Sequence, residues 1–460
     1  MKCFVLLPFV SVVSASVLAS DPSDTISGSQ WAADNAIKAD YNVPVIYYQT
    51  IANVGPNIVN NSQHKTYNKV TLEAGGNDTS VLIATGGSVV DLEYSAILKY
   101  GYSSDLIQAS FFGVNSAVLA ANASQLYITS TNVTTHNGAA NIYAYGSGTA
   151  IEIDDAWLYS SGPTSHGLYA SGNGTIHAKN VRHFSGGNRC SSFSGDNPAG
   201  YLYIHDSVAH TSGIGSAVGF VLGEMNLTNV VGAADNSPAF FSIGDAVGST
   251  SHSEFTAGLL AGLVIFSLDK TSGVNYFYLD HTKVTVTEKS APGLWFGGVI
   301  AEAYLDNTEF ITESGILAVS NYSTITQEFN FYAGYDDDPS AINSADARVF
   351  VQQSALSGDI VAYNGSTLGF SFSDNSFWSG KGYIGHGYAE LGVFLDASST
   401  WNVTGDTTLL NITNADKTFS NVWDNGFSIT YNASAPANKA LGGRSIKLQG
   451  GGKLVPAGKK

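Results

Sequence analysis

The chain has 460 residues, 44% hydrophobic and only 12% charged, with 50 glycines, 24 tyrosines and 23 phenylalanines. That balance is ample for a core and suits an all-β protein with many tight turns, because aromatic residues fill strands and glycine supplies positive φ. The formal charge of −17 offers no phosphate-neutralising field, so nucleic acid and anionic membranes are not expected partners, and a polyanionic sugar would need a bridging divalent cation.

Residues 1–19 carry Lys2, an apolar run to Leu18 and small residues before Ser20, which is the anatomy of a secretory signal peptide cleaved after Ala19. The expected location is therefore secreted or extracellular, with association at a cell surface as one outcome. Cleavage would remove Cys3 and leave Cys190 alone, read either as a buried small hydrophobe or as a reactive thiol. Residues 20–69 are expected to hold an N-terminal segment and cap, with Trp31–Lys38 as a short helix or Val45–Tyr48 covering the first turn. No later apolar run matches a membrane span of about 20 residues; Ala257–Leu268 is the nearest and is too short. The C-terminal tail lacks the hydrophobic segment of a lipid anchor.

Residues 70–420 carry the repeats. Leu126-Tyr127-Ile128, Ile151-Glu152-Ile153, Ile176-His177-Ala178, Leu202-Tyr203-Ile204 and Met225-Asn226-Leu227 recur at intervals of 25, 25, 26 and 23. A second short element follows each, as in Trp157-Leu158 and Ser207-Val208, and Gly, Ser and Asn clusters fill the gaps. Alternation over three to five positions signals strands, and a fixed period without helical spacing signals a solenoid whose turns share one core. The expected fold is all-β: a right-handed parallel β-helix (β-solenoid) with about 23–26 residues per turn and capped ends. The register is expected to resume at Tyr278-Leu279-Asp280 and Tyr304-Leu305-Asp306, with polar ladders at the bends. The insert Phe331–Pro339 is expected to protrude. Residues 421–460 should form a C-terminal β cap with a basic, solvated tail, in which Phe427–Tyr431 pairs antiparallel with Ser445–Leu448.

Three stretches carry a family resemblance: Leu395–Asp406, Lys439–Gly443 and Gly450–Ala457. Together they resemble the C-terminal turns of adhesin-like right-handed parallel β-helix proteins, mostly uncharacterised bacterial relatives that share the pectate-lyase-like superfold. The resemblance implies this fold and secretion or surface display. It brings no catalytic motif with it.

Glycan cleavage needs paired carboxylates, or a cation site with a base. Asp154-Asp155 is the best acidic pair; His177 and Arg182 fall one turn later and His205 another turn on, so these five are the catalytic candidates if the protein is an enzyme. The competing assignment makes them ordinary turn and surface residues. Polygalacturonase-like signatures fit poorly: Gly385-His386-Gly387 lies far from the acidic pair and Arg444–Lys447 has the wrong spacing. Five histidines lie between His166 and His210 without helical ligand spacing, so no metal site is assigned. Asp336-Asp337-Asp338 is the one place that suggests calcium, through hard oxygen ligands; otherwise no cofactor is expected. Tyr143, Trp157, Tyr169, Tyr201 and Tyr203 are read as strand-face or core residues, with a sugar-stacking platform as the functional alternative.

Asn-x-Ser/Thr sequons occur at Asn60, Asn77, Asn122, Asn132, Asn173, Asn226, Asn321, Asn364, Asn402, Asn411 and Asn432. They read as glycan acceptors in a glycosylating host, or as by-products of polar turn composition. The leading functional expectation is a non-enzymatic, adhesin-like protein binding polysaccharide or surface glycans. A secreted polysaccharide hydrolase or lyase is the alternative, and a small-molecule biosynthetic enzyme on this scaffold comes third.

Overall fold

The apolar residues that recur along the sequence stand in register, each on top of the next. The computed structural model describes residues 54–458, except 102, 104, 105, 137, 139, 268–272, 322–343 and 364. The expected signal peptide, both N-terminal cap candidates and the insert with Asp336–Asp338 lie outside the described residues. Strand accounts for 56% and helix for 3%, arranged as a parallel β-solenoid of about 14 turns. The all-β solenoid read from the periodicity is the fold.

Each turn is built from a short strand and a longer, bent one. The short strands stack into a 13-stranded parallel sheet from Asn57–Val59 to Gly382–His386. The bent strands are clearest in the central turns, where Gln125–His136, Ala150–Ser161, Gly174–Ser185, Gly200–Thr211 and Gly223–Ala234 each run for 12 residues. Ile151 lies opposite Leu126 and Ile176, and Leu202 lies opposite Ile176 and Met225. All five are at most 1% exposed. A one-residue slip would turn every inward side chain out to solvent, so burial fixes the register.

The bend has a backbone cause. One residue takes positive φ there in most turns, including Lys69, Tyr94, Ser130, Asp155, Asn180, Asp206, Asn229, His252, His281, Asn307 and Gln353, and two successive residues, Asp374 and Asn375, do so in a later one. Asn and Asp are the side chains that tolerate this region best. On the outside, neighbouring bends bond to one another: Ser130 Oγ donates to Asp155, and the Asn180 amide donates to Asp154 at 3.0 Å. The next residue along points inward and is often Ser or Thr. Ser207 Oγ accepts the Val181 N–H and donates to the His205 carbonyl; Ser354 Oγ does the same for Thr308 and Gln352. These hydroxyls satisfy backbone groups that the bend removes from the sheet ladder.

Two boundaries differ from the sequence expectation. Solenoid pairing already exists at Asn57–Val59 and His64–Asn68, inside residues 20–69, the stretch expected to be a cap. At the other end, Ile429–Tyr431 pairs parallel to Thr407–Leu409 and to Lys453–Pro456. The antiparallel pairing joins Ile446–Lys447 to Lys453–Leu454 instead. The chain thus continues the solenoid for one more rung before it turns back.

A short helix, Leu106–Phe112, lies on the outer side of the 13-stranded sheet. It is held by the Tyr143 hydroxyl donating to the Ser110 carbonyl at 2.7 Å and by Ser171 Oγ donating to Phe111 at 2.9 Å. Nothing in the sequence reading anticipated it.

Candidate functional site

The first arm of the bent sheet presents a regular outer face. One outward column runs Tyr127, Glu152, His177, Tyr203, Asn226, Ser249, Tyr278, Tyr304, Phe350, Ser371, Phe394 and Thr413, each residue in register with the next. Parallel pairing places these side chains about 4.8 Å apart, the distance at which rings stack. His177 stacks on Tyr203 at 4.8 Å, Tyr278 on Tyr304 at 4.9 Å and Tyr304 on Phe350 at 4.9 Å. Tyr127, Tyr278 and Phe394 are 44%, 40% and 39% exposed. The Tyr304 hydroxyl donates to Glu302 at 2.6 Å, and that carboxylate pushes the phenol up to about 12.

The five sequence candidates are near one another without converging on one point. Asp154, His177 and His205 face solvent on the first arm, with Lys179 between Asp154 and His205 in the same column. Asp155 occupies the bend with φ 66°. Its carboxylate takes the Arg182 guanidinium at 3.2 Å and the Ser130 hydroxyl at 2.9 Å, while Arg182 also lies 5.4 Å over the Trp157 ring. Asp154 is instead engaged by Asn180. The two adjacent carboxylates therefore serve different partners on either side of a bend, where every turn places a residue. Both members of the Asp155–Arg182 pair are more than 40% exposed, so the pair contributes little to stability.

The histidines separate. His183 is fully buried between Ser160 and Ser192, at 3.1 and 2.8 Å, and burial pushes it down to about 3. His166 bonds Ser194 at 3.2 Å. Among the described residues no group of three or more His, Cys, Asp or Glu is placed to hold a metal ion. Cys190 is buried, with its thiol 3.0 Å from the Gly162 carbonyl; burial pushes it up to about 12, which suits the inert assignment. Tyr143 and Tyr169 are buried and stack on each other at 4.7 Å, so neither belongs to a sugar platform.

The sequons occupy varied settings. Asn60, Asn77 and Asn122 are exposed, Asn132, Asn173, Asn226, Asn402, Asn411 and Asn432 are half-buried, and Asn321 is buried at 5% exposure. Asn364 lies outside the described residues.

Sequence reasoning missed one polar group. Asp196, on the rim of the 13-stranded sheet, accepts the Tyr169 hydroxyl and the Asn197 N–H. Burial pushes its carboxyl up to about 6, although both hydrogen bonds act the other way. A half-buried carboxyl raised toward neutrality in this way is a candidate for acid–base work. No spacing rule could have found it, because Tyr169 and Asp196 meet only through stacking. Its folded pKa exceeds the unfolded value of 3.8, so the native state holds a proton that the unfolded chain has lost between pH 4 and 6. Stability should fall as pH rises through that window. Asp196→Asn, whose amide can donate to the Tyr169 oxygen, is expected to gain stability at pH 7, by up to about 3 kcal/mol for a shift of this size, and far less at pH 4. Urea titrations at the two pH values measure this; an equal gain at both would refute the assignment.

The chain was compared with family models, curated proteins and solved structures, and none matches it.

Proposed function

We propose that this is a secreted or cell-surface solenoid, adhesin-like and non-enzymatic, that binds glycans along the outer face of the bent sheet's first arm. The observation that carries this reading is the in-register column of partly exposed rings, Tyr278, Tyr304 and Phe350. Flat apolar rings flanked by polar neighbours match the C–H faces and hydroxyl edges of sugars. The signal-like leader and the resemblance of the C-terminal turns support secretion or display. The engagement of Asp154 and Asp155 in bend contacts supports a binding role over a hydrolytic one centred there.

Asp196 favours a second reading, a carbohydrate-active enzyme of the pectate-lyase-like class. The two are separated by incubating the protein with neutral and acidic polysaccharides, with and without calcium. Retention on one polymer, weakened about tenfold in Tyr304→Ala through loss of a stacked ring worth ~1.5 kcal/mol, is the expected result. New reducing ends or unsaturated products that vanish in Asp196→Asn would establish the enzyme instead. Retention unchanged in Tyr304→Ala would refute the aromatic face.

A further inference from the structure

Near the C-terminal end the outer face carries a groove of about 260 Å³, with Phe350, Gly369, Gly392, Phe394, Asn411 and Thr413 along it. The column of rings breaks at Ser371, between Phe350 and Phe394. In the adjacent column Gly369, Gly392 and Asn411 lie in register. Glycine in a strand is unfavourable unless something needs the space. Here the backbone does not need it: neither glycine has positive φ, and a Cβ at Gly369 would meet only the Ala347 carbonyl, at 4.0 Å. At Gly392 a Cβ would sit in ordinary contact with Asn411, 3.5 Å from its Cβ and 4.0 Å from its amide nitrogen. The bare strip therefore begins at the atom that a sequon glycosylates.

We infer that Asn411, in Asn411-Ile412-Thr413, is an N-glycosylation site with a built cradle: its first sugar lies over Gly392 and Gly369, against the exposed ring of Phe394. Among the described residues no hydrogen bond engages the Asn411 amide, whereas the sequon amides of Asn122 and Asn402 are bonded to Thr85 and Ser379. In the modification, the amide nitrogen bonds to the anomeric carbon of a lipid-diphosphate-linked oligosaccharide. The carbon–diphosphate bond breaks, and the amide proton leaves with the lipid diphosphate. Enclosed ligand pockets run to about 300–1,000 Å³, so a groove of this size suits one ring held by a covalent tether. The inference rests on the secreted part of the proposed function and not on glycan binding.

The test is secretion from a glycosylating eukaryotic host under the chain's own leader, with glycopeptide mass spectrometry. Asn411 should carry glycan. Gly392→Leu, which fills the strip, should lower Tm by several degrees in the glycosylated protein and leave it unchanged in unglycosylated protein made in bacteria. The sugar's ring protons should be shifted upfield by Phe394 and lose that shift in Phe394→Ala. Asn411 unmodified while other sequons are occupied would overturn the cradle alone, as would an equal effect of Gly392→Leu in both proteins. Secreted chain with no modification at any sequon would also overturn the cradle alone, whereas chain that stays inside the host cells would overturn the secreted reading on which the inference rests.

Discussion

Trp401→Ala should cost about 3–5 kcal/mol, the range for truncating a large buried aromatic. Trp401 is fully buried and stacks on Trp378 at 4.8 Å, in register one turn away. Each indole N–H also reaches the backbone of the preceding turn: Trp378 donates to Gly358 and Trp401 to Gly380, both at 2.9 Å. Truncation would open a cavity and remove the donor to a buried carbonyl together. Trp401→Phe keeps the stack but not the donor, and should cost about 1–2 kcal/mol. Solenoid turns are coupled mainly to their neighbours, so hydrogen exchange should show the loss concentrated between residues 355 and 431. A Trp401→Ala loss below about 1 kcal/mol would contradict this account.

Asp424→Ala should release the C-terminal closure at a cost of about 3 kcal/mol or more, because buried donors lose a charged acceptor. Asp424 is fully buried. One carboxylate oxygen accepts the Gly450 N–H and the other accepts those of Gly452 and Gly426, while its carbonyl accepts Phe427 at 2.8 Å. The glycines are required by this clasp: a Cβ at Gly452 would lie 1.8 Å from the Phe427 carbonyl, and one at Gly450 would lie 2.7 Å from the Asp424 carboxylate. Because both oxygens are acceptors, Asp424→Asn points an N–H at another N–H and should do little better than alanine. Limited proteolysis should then cut between residues 445 and 458 in both variants but not in the parent. Resistance equal to the parent would remove the clasp from consideration.

The solenoid was legible because its inward positions alternate and recur, and burial admits only that register. The clasp was half legible: Gly450-Gly451-Gly452 stood out as a family-like stretch, but its dependence on Asp424 is a contact across 26 residues. The helix Leu106–Phe112 was not legible, since Leu-Ile-Gln-Ala-Ser-Phe-Phe carries neither acidic first-turn nor basic last-turn residues and is rich in strand formers. Around the candidate site, Asp154 and Asp155 read as a pair because they are adjacent; the positive φ at Asp155 sends them to different partners. Asp196 and the Gly369–Gly392 strip depend on what lies one turn away, information that a linear reading holds only once the register is known.

The ring column has one more consequence. From Tyr278 through Tyr304 to Phe350 successive rungs offer similar ring contacts at a constant step of about 4.8 Å, so this stretch of the face has an approximate translational symmetry along the solenoid axis. An extended polymer lying on it would find several alignments of similar energy and could shift between them without detaching. Affinity would then grow with the number of rungs covered, each ring adding its own share. Ser249 on one side and Ser371 on the other end that equivalence and bound the stretch.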